Sequence, residues 1–501
     1  MKYMNPIIPG FYPDPSVCRV DKDYFLVTSS FEYFPGVPIF HSRDLIRWQQ
    51  IGHCLTRPTQ LPLSGAKCSD GIYAPTIRHH KGRFYMVTTN TSHGGNFFVW
   101  TDDPYGEWSE PVWLDQGGID PSLLFDEDGK VYLTTCLNQQ SEIKIADGSR
   151  LSEIRQTWKG TGGAFMEAPH LYRFDDRYYL MVAEGGTGRG HTVCIARSYS
   201  PWGPFESCPH NPILSNRGCG MSPVQATGHG DLIQAHDGSW WMVFLAVRDY
   251  QDRHPFCHNL GRETFLAPVS WSDDGWPIVN GNGTVSLEMT ANCLPAVPVP
   301  SEPNRDDFNT NRVHLSWNFL RNPNEEDYSF SKRAGWLALR ASPVTLDVEE
   351  SPAFLGRRQQ HVNCKAITLV DFEPSDTDEA GLTVFMNNRH HYDIALRREN
   401  GKRHVFVRRR IGDMVGIVYS TEVPDGPVQL GIRADKSHYH FAFSIPHGDW
   451  QEIGKGEVRY LSTEVAGGFT GVYFGLYATS NGNPSRSTAY FDWFDYVPQH
   501  E

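Results

Sequence analysis

Three acidic residues have surroundings suited to acid–base chemistry: Asp14 in Tyr12-Pro13-Asp14-Pro15, Asp120 in Ile119-Asp120-Pro121-Ser122, and Glu167 in Phe165-Met166-Glu167-Ala168-Pro169. Two carboxyl groups of opposite protonation suffice to cleave an acetal such as a glycosidic bond. One delivers a proton to the leaving oxygen, and the other attacks the anomeric carbon or activates water to do so. Apolar company disfavours the ionised form of Glu167 and should raise its pKa, which makes it the candidate acid. Asp14 is then the candidate base, and Asp120 a third negative charge that keeps Glu167 protonated and orients it. For any one Glu taken singly, a half-buried carboxylate satisfied by an Arg is the better account.

Membership of a repeat changes those odds. Asp14-Pro15-Ser16-Val17 leads to Tyr24-Phe25-Leu26-Val27-Thr28, Ala74-Pro75-Thr76-Ile77 to Phe84-Tyr85-Met86-Val87-Thr88, and Asp120-Pro121-Ser122-Leu123 to Val131-Tyr132-Leu133-Thr134. Ala168-Pro169-His170-Leu171 leads to Tyr178-Tyr179-Leu180-Met181-Val182, and Gly230-Asp231-Leu232-Ile233 to Trp240-Trp241-Met242-Val243. Polar turns such as Asp126-Glu127-Asp128-Gly129 and His236-Asp237-Gly238-Ser239 separate the two runs, so each copy is a hairpin. Five such units, each with about four strands, predict a five-bladed β-propeller over residues 1–294. Its first hairpin strands start near one axis, where Asp14, Ala74, Asp120, Glu167 and the His229/Asp231 neighbourhood should converge. Architecture alone would favour small residues such as Ala74 there, yet three of the five positions are acidic. His229 is either a structural histidine or a pocket residue that could hold a metal through water. Arg262 either holds a sugar hydroxyl or pairs with an acid.

The pattern changes at Pro295, Pro298, Pro300 and Pro303, a stiff connector over residues 295–304. Beyond it, Tyr439, Phe441, Phe443 and Ile445 alternate with polar or small residues, and 366–372, 405–411 and 469–477 also read as strands. A β-sandwich over residues 305–501 is the expectation, with Arg408-Arg409-Arg410 as a solvated strand end. Aromatics of that domain, Phe469, Tyr473 and Phe474, are candidates to wall off the propeller funnel.

The chain of 501 residues carries 45 Lys plus Arg against 58 Asp plus Glu, a net charge of −13 that repels nucleic-acid phosphates and anionic lipid. No nucleic-acid or membrane partner is expected. Residues 1–10 lack an apolar run of signal-peptide length, and the longest apolar stretch, 240–247, is far too short for a bilayer. Ten scattered cysteines without a C-x-x-C pair, with Cys18, Cys136 and Cys194 in strand-like runs, suggest buried thiols in a reducing cytoplasm. The composition leaves a homo-oligomer open.

The residues as a set resemble glycoside hydrolase family 43, the β-xylosidase and α-L-arabinofuranosidase family. The resemblance rests on segments 5–16 and 28–38, Ile119-Asp120-Pro121-Ser122, Glu167-Ala168-Pro169-His170, Thr227-Gly228-His229-Gly230-Asp231 and Gly261-Arg262-Glu263. Segments 317–323 and 491–494 are similar to the concanavalin-like sandwich of its xylosidase branch. The resemblance implies an exo-acting, inverting hydrolase that releases terminal α-L-arabinofuranosyl or β-D-xylosyl units from arabinoxylan- or xylan-derived oligosaccharides. Asp14 would be its base, Asp120 its pKa modulator and Glu167 its acid. It further implies that Phe31, Tyr73, His229 and Arg262 line the terminal-sugar subsite. No cofactor is required, but a Ca²⁺ or other cation on the propeller axis near His229, held through water, is implied as well. Ile72-Tyr73-Ala74-Pro75-Thr76 stands where many of the β-xylosidases have Ile-Trp-Ala-Pro-Asp, which tilts the expectation toward arabinofuranosyl substrates. A non-catalytic sugar-binding propeller and a retaining fructan hydrolase are the rivals, and the latter's Asn-Asp-Pro-Asn-Gly stretch is absent.

Overall fold

The computed structural model describes residues 2–249, 256–446 and 448–499. Short polar turns between β-rich runs make antiparallel hairpins the only local option. At Lys81-Gly82 both residues have positive φ (52° and 81°), as in the type I′ turns whose twist matches the strands they join. Five four-stranded antiparallel sheets result, with inner strands Ser16–Val20, Thr76–His80, Ser122–Phe125, Glu167–Phe174 and Val224–Gln234. Each inner strand touches the next, and the fifth returns to the first, so the sheets close radially as five blades. Strand Lys2–Met4 pairs with Glu288–Thr290, and Asn5 exchanges hydrogen bonds with the backbone of Leu266, tying the start of the propeller to its last blade.

Residues 291–304 form no strand and lie against the first blade, where Asp44 accepts the Val297 amide at 2.9 Å. Two large antiparallel sheets follow and enclose a core that includes Leu382, Ile394, Val405, Phe441 and Phe491. The last strand of one of these sheets is Tyr33–Phe34, from the first blade, which pairs with Trp317–Leu320. Phe11, Phe31 and Tyr33 of the propeller share one apolar cluster with Phe354, Phe385 and Tyr473 of the sandwich.

Two expectations need correction. The strand read over 469–477 begins only at Tyr473, because Gly467 and Gly468 have positive φ (74° and 82°) and leave Phe469 on a loop. Arg408 is not a solvated strand end: its guanidinium lies 2.7 Å from both Asp393 and Glu379 and is mostly buried. It compensates carboxylates that would otherwise be stranded away from water.

Candidate active site

At the mouth of the propeller the inner strands pass through left-handed backbone, just before or at the start of three of them, at Asp14 (φ 56°), Asp120 (φ 55°) and Ala168 (φ 50°), and at a register shift within the fifth, at His229 (φ 51°). Aspartate is among the few residues that adopt this region at little cost. A cavity of about 290 Å³ lies over these starts, and Asp14, Ala74, Asp120, Glu167, His229 and Arg262 all line it, with Phe31 and Tyr73 beside them. Asp231, expected in the same funnel, lies elsewhere.

Asp14 is buried and held from three sides. Its Oδ1 is 2.7 Å from Arg262 Nη1 and 3.6 Å from His229 Nδ1, while Oδ2 accepts a 2.6 Å hydrogen bond from Ser29 Oγ. Asp120 Oδ2 accepts the Ala168 amide at 3.0 Å, which fixes it against the strand that carries Glu167. Burial, then the charges of Glu167 and Asp14, push the Asp120 carboxyl well above the usual range. Glu167 is half-buried and is raised by burial first and Asp14 second, with Arg262 opposing. The expectation of a raised Glu167 therefore holds, while burial bears more heavily on Asp120. Mutual repulsion makes these two a pair whose proton is shared rather than owned.

His229 is buried, and loss of hydration pushes its imidazole down, toward the neutral form. His191 behind it is pushed down to about 3 for the same reason. Its ring lies flat on Gly228, where a Cβ would come within 2.2 Å of it, so only glycine fits. The Arg262 guanidinium is 5.6 Å from the Phe31 ring and 5.7 Å from the Phe469 ring, a cation beside the pair of aromatic rings. Phe469 is the sandwich's contribution to the cavity. Its amide bonds Ser69 Oγ at 2.9 Å, and its ring stacks 6.1 Å from Phe31. The other two candidates for the wall do not reach it: Tyr473 stacks on Tyr33 in the interdomain cluster, and Phe474 belongs to the sandwich core.

Asp231 lies in a second polar layer to which every blade contributes, the fourth with both His170 and Tyr172, whose hydroxyl donates to Asp231 Oδ1 at 2.6 Å. It pairs with Arg78 (2.8 Å) and accepts from Ser16 Oγ (2.7 Å), and Arg78 also reaches His170 Nδ1 (3.1 Å), which Ser122 Oγ contacts at 3.0 Å. Arg78 holds the Asp231 carboxyl well below the usual range against the effect of burial. Burial brings His170 down to about 3, consistent with a neutral ring whose Nδ1 accepts from Arg78.

Some lining residues escaped the sequence reading: Ile119, Phe165, Gly186, Thr187 and His191. Their one local signal is the glycine-rich run Gly185-Gly186-Thr187-Gly188-Arg189-Gly190, the mark of a tight rim loop. Among the described residues Asp249, His258 and Glu464 also have metal-ligand spacing. They are already engaged, however, His258 with Glu464 at 2.7 Å and Asp249 with Arg189.

The family model "Glycosyl hydrolases family 43" matches residues 3–277, and "Beta xylosidase C-terminal Concanavalin A-like domain" matches residues 305–497. A non-reducing end alpha-L-arabinofuranosidase of Bacteroides ovatus is 43% identical, over 99% of this chain and 94% of its own. A xylosidase/arabinosidase of Butyrivibrio fibrisolvens is 38% identical over 98% of both chains. The solved structure of Bacteroides ovatus Xyloglucan PUL GH43B superposes with a TM-score of 0.96 at 42% identity, covering 100% of both chains.

Proposed function

The chain belongs to glycosyl hydrolases family 43, and from that premise we propose an exo-acting, inverting pentosidase that removes terminal α-L-arabinofuranosyl, and secondarily β-D-xylosyl, units from arabinoxylan- or xylan-derived oligosaccharides. The observation that carries this reading is the convergence of Asp14, Asp120 and Glu167 in one small cavity that Phe469 of the sandwich helps to wall. A cavity of about 290 Å³ is at the lower end for ligand pockets, which suits one terminal ring better than a passing chain.

In this scheme the terminal sugar packs against Phe31, Tyr73 and Phe469. Glu167 gives its proton to the glycosidic oxygen as the C–O bond breaks. A water on the opposite face of the ring loses a proton to Asp14 and forms the new bond to the anomeric carbon, which inverts it. Arg262, Ser29 and His229 keep Asp14 aimed. Burial and the charge of Asp14 keep the proton on Glu167, and Asp120, raised by burial and by the charges of Glu167 and Asp14, titrates with it as a coupled pair. His229, held neutral, can bond a sugar hydroxyl without adding charge. The preference for arabinofuranosyl substrates is supported by Tyr73 and by the name of the 43% identical relative. Similar hydroxyl placement keeps the two pentoses close in affinity.

A cation near His229, of the kind the resemblance implies, would be held through water by His229 rather than by the neighbouring carboxylates. Asp231 is already paired with the Arg78 guanidinium, and Asp14, the carboxylate beside His229, with Arg262.

Parallel turnover of aryl α-L-arabinofuranoside and aryl β-D-xyloside tests the reading. Both should be cleaved, the former faster, and Glu167→Gln should lose about 10²–10⁴-fold in kcat on unactivated oligosaccharides. No turnover of either by the parent would end the proposal.

A further inference from the structure

Phe165 is the most exposed of the Phe and Tyr rings that line the cavity: 68% of it is exposed, against 2% for Phe31 and 41% for Phe469. It also sits at φ 52°, a left-handed conformation that is sterically disfavoured for a bulky side chain. A residue that is both strained and solvated gains nothing for the fold, and such positions concentrate where the conformation serves a ligand.

The surroundings enforce this conformation. Met166 is buried next to it, and its carbonyl accepts the Leu137 amide at 2.9 Å. On the other side Ala164 O accepts the Gly185 amide at 2.7 Å, which joins the two rim loops. The Phe165 ring then rests on Gly186, where an added Cβ would lie 2.9 Å from it. The result is an aromatic face, backed by glycine and directed at solvent, two residues before Glu167.

That position corresponds to one part of the substrate. The proton from Glu167 goes to the oxygen that joins the terminal sugar to the rest of the oligosaccharide. Phe31, Tyr73, Arg262 and Phe469 group around Asp14 on the terminal-sugar side. On the pentosidase reading the departing sugar extends from Glu167 toward the open side of the cavity, where Phe165 is exposed. We propose that Phe165 is the platform on which the leaving-group sugar stacks, with the flat C–H face of a pyranose as its ligand. The proposal rests on the pentosidase reading of the same cavity.

The experiment compares the parent with Phe165→Ala and Phe165→Gly on a xylo-oligosaccharide carrying a terminal pentose and on the corresponding pentosyl fluoride, whose leaving group is too small to stack. The loss in kcat/KM on the oligosaccharide is expected to exceed the loss on the fluoride by about 10-fold, the scale of one aromatic contact. Phe165→Gly, which accepts positive φ freely, is expected to melt no lower than the parent. Equal losses on both substrates, or a lowered Tm for the glycine variant, would overturn the assignment of Phe165. Failure of the parent to cleave the fluoride would instead count against the pentosidase reading itself.

Discussion

Asp14, Asp120 and Glu167 carry the same functional group, and what sets them apart is the number of donors facing each. Asp14 has a guanidinium, a hydroxyl and an imidazole around it, while Asp120 has one amide and two other acids. Removing the hydroxyl with Ser29→Ala is expected to cost about 10-fold in kcat/KM, the value of a hydrogen bond to a charged group, with little change in KM. Asp120 is raised on folding, so the native state binds a proton more tightly there than the unfolded chain does. Stability is then lost as pH rises above about 4, the ordinary carboxyl value. Asp120→Asn is therefore expected to raise Tm at neutral pH but not at acid pH, as calorimetry across that range would check. The same variant removes the group that titrates with Glu167 as a coupled pair. The alkaline limb of the kcat/KM profile is expected to move to lower pH, and an unmoved limb would mean that the two groups are not coupled. These acids were legible in sequence because Asp14 and Asp120 recur at one position of a repeat and Glu167 stands just before it, ahead of Ala168. Phe165 and His191 were not, because their roles depend on Gly186 and Gly228, which meet them only in the folded chain.

At the scale of the element, the left-handed start of an inner strand is the recurring device, and it explains why Asp precedes Pro in two of the repeats. Asp tolerates positive φ, and Pro then restores the extended chain. Below these starts the Arg78–Asp231 pair ties the inner strands together. Arg78→Met would leave Asp231 buried and unpaired, and is expected to destabilise the protein by about 3–5 kcal/mol in urea unfolding. Adding Asp231→Asn should recover part of that loss, and no recovery would show that the hub acts through packing rather than charge. The hairpin repeat disclosed five blades because strand period and turn chemistry agree locally. The hub was not legible, since Arg78 and Asp231 are far apart in sequence and the segment that carries Asp231 gives no sign of its partner. Alternation misplaced the start of the strand at 469–477, where glycines overrode the apolar pattern.

At the scale of the molecule, propeller and sandwich share a sheet through Tyr33–Phe34 and an aromatic cluster around Tyr473. The sequence signalled two compositions and a proline-rich connector, but it could not show that a strand of the first blade would complete a sheet of the second domain. Cutting the chain after Pro300 would strip that strand of its partner and expose the cluster, so the fragment is expected to be insoluble. The sandwich's part in the cavity is better tested with Phe469→Ala in the full chain, which should raise KM for the terminal sugar and leave Tm nearly unchanged. All of this serves one chemical claim, that Glu167 protonates the leaving oxygen while Asp14 directs water to the other face of the sugar. The most direct measurement is proton NMR of the pentose as it is first released from an aryl pentoside, before mutarotation. The account requires the anomer of opposite configuration to the substrate, and release of the same anomer would contradict it.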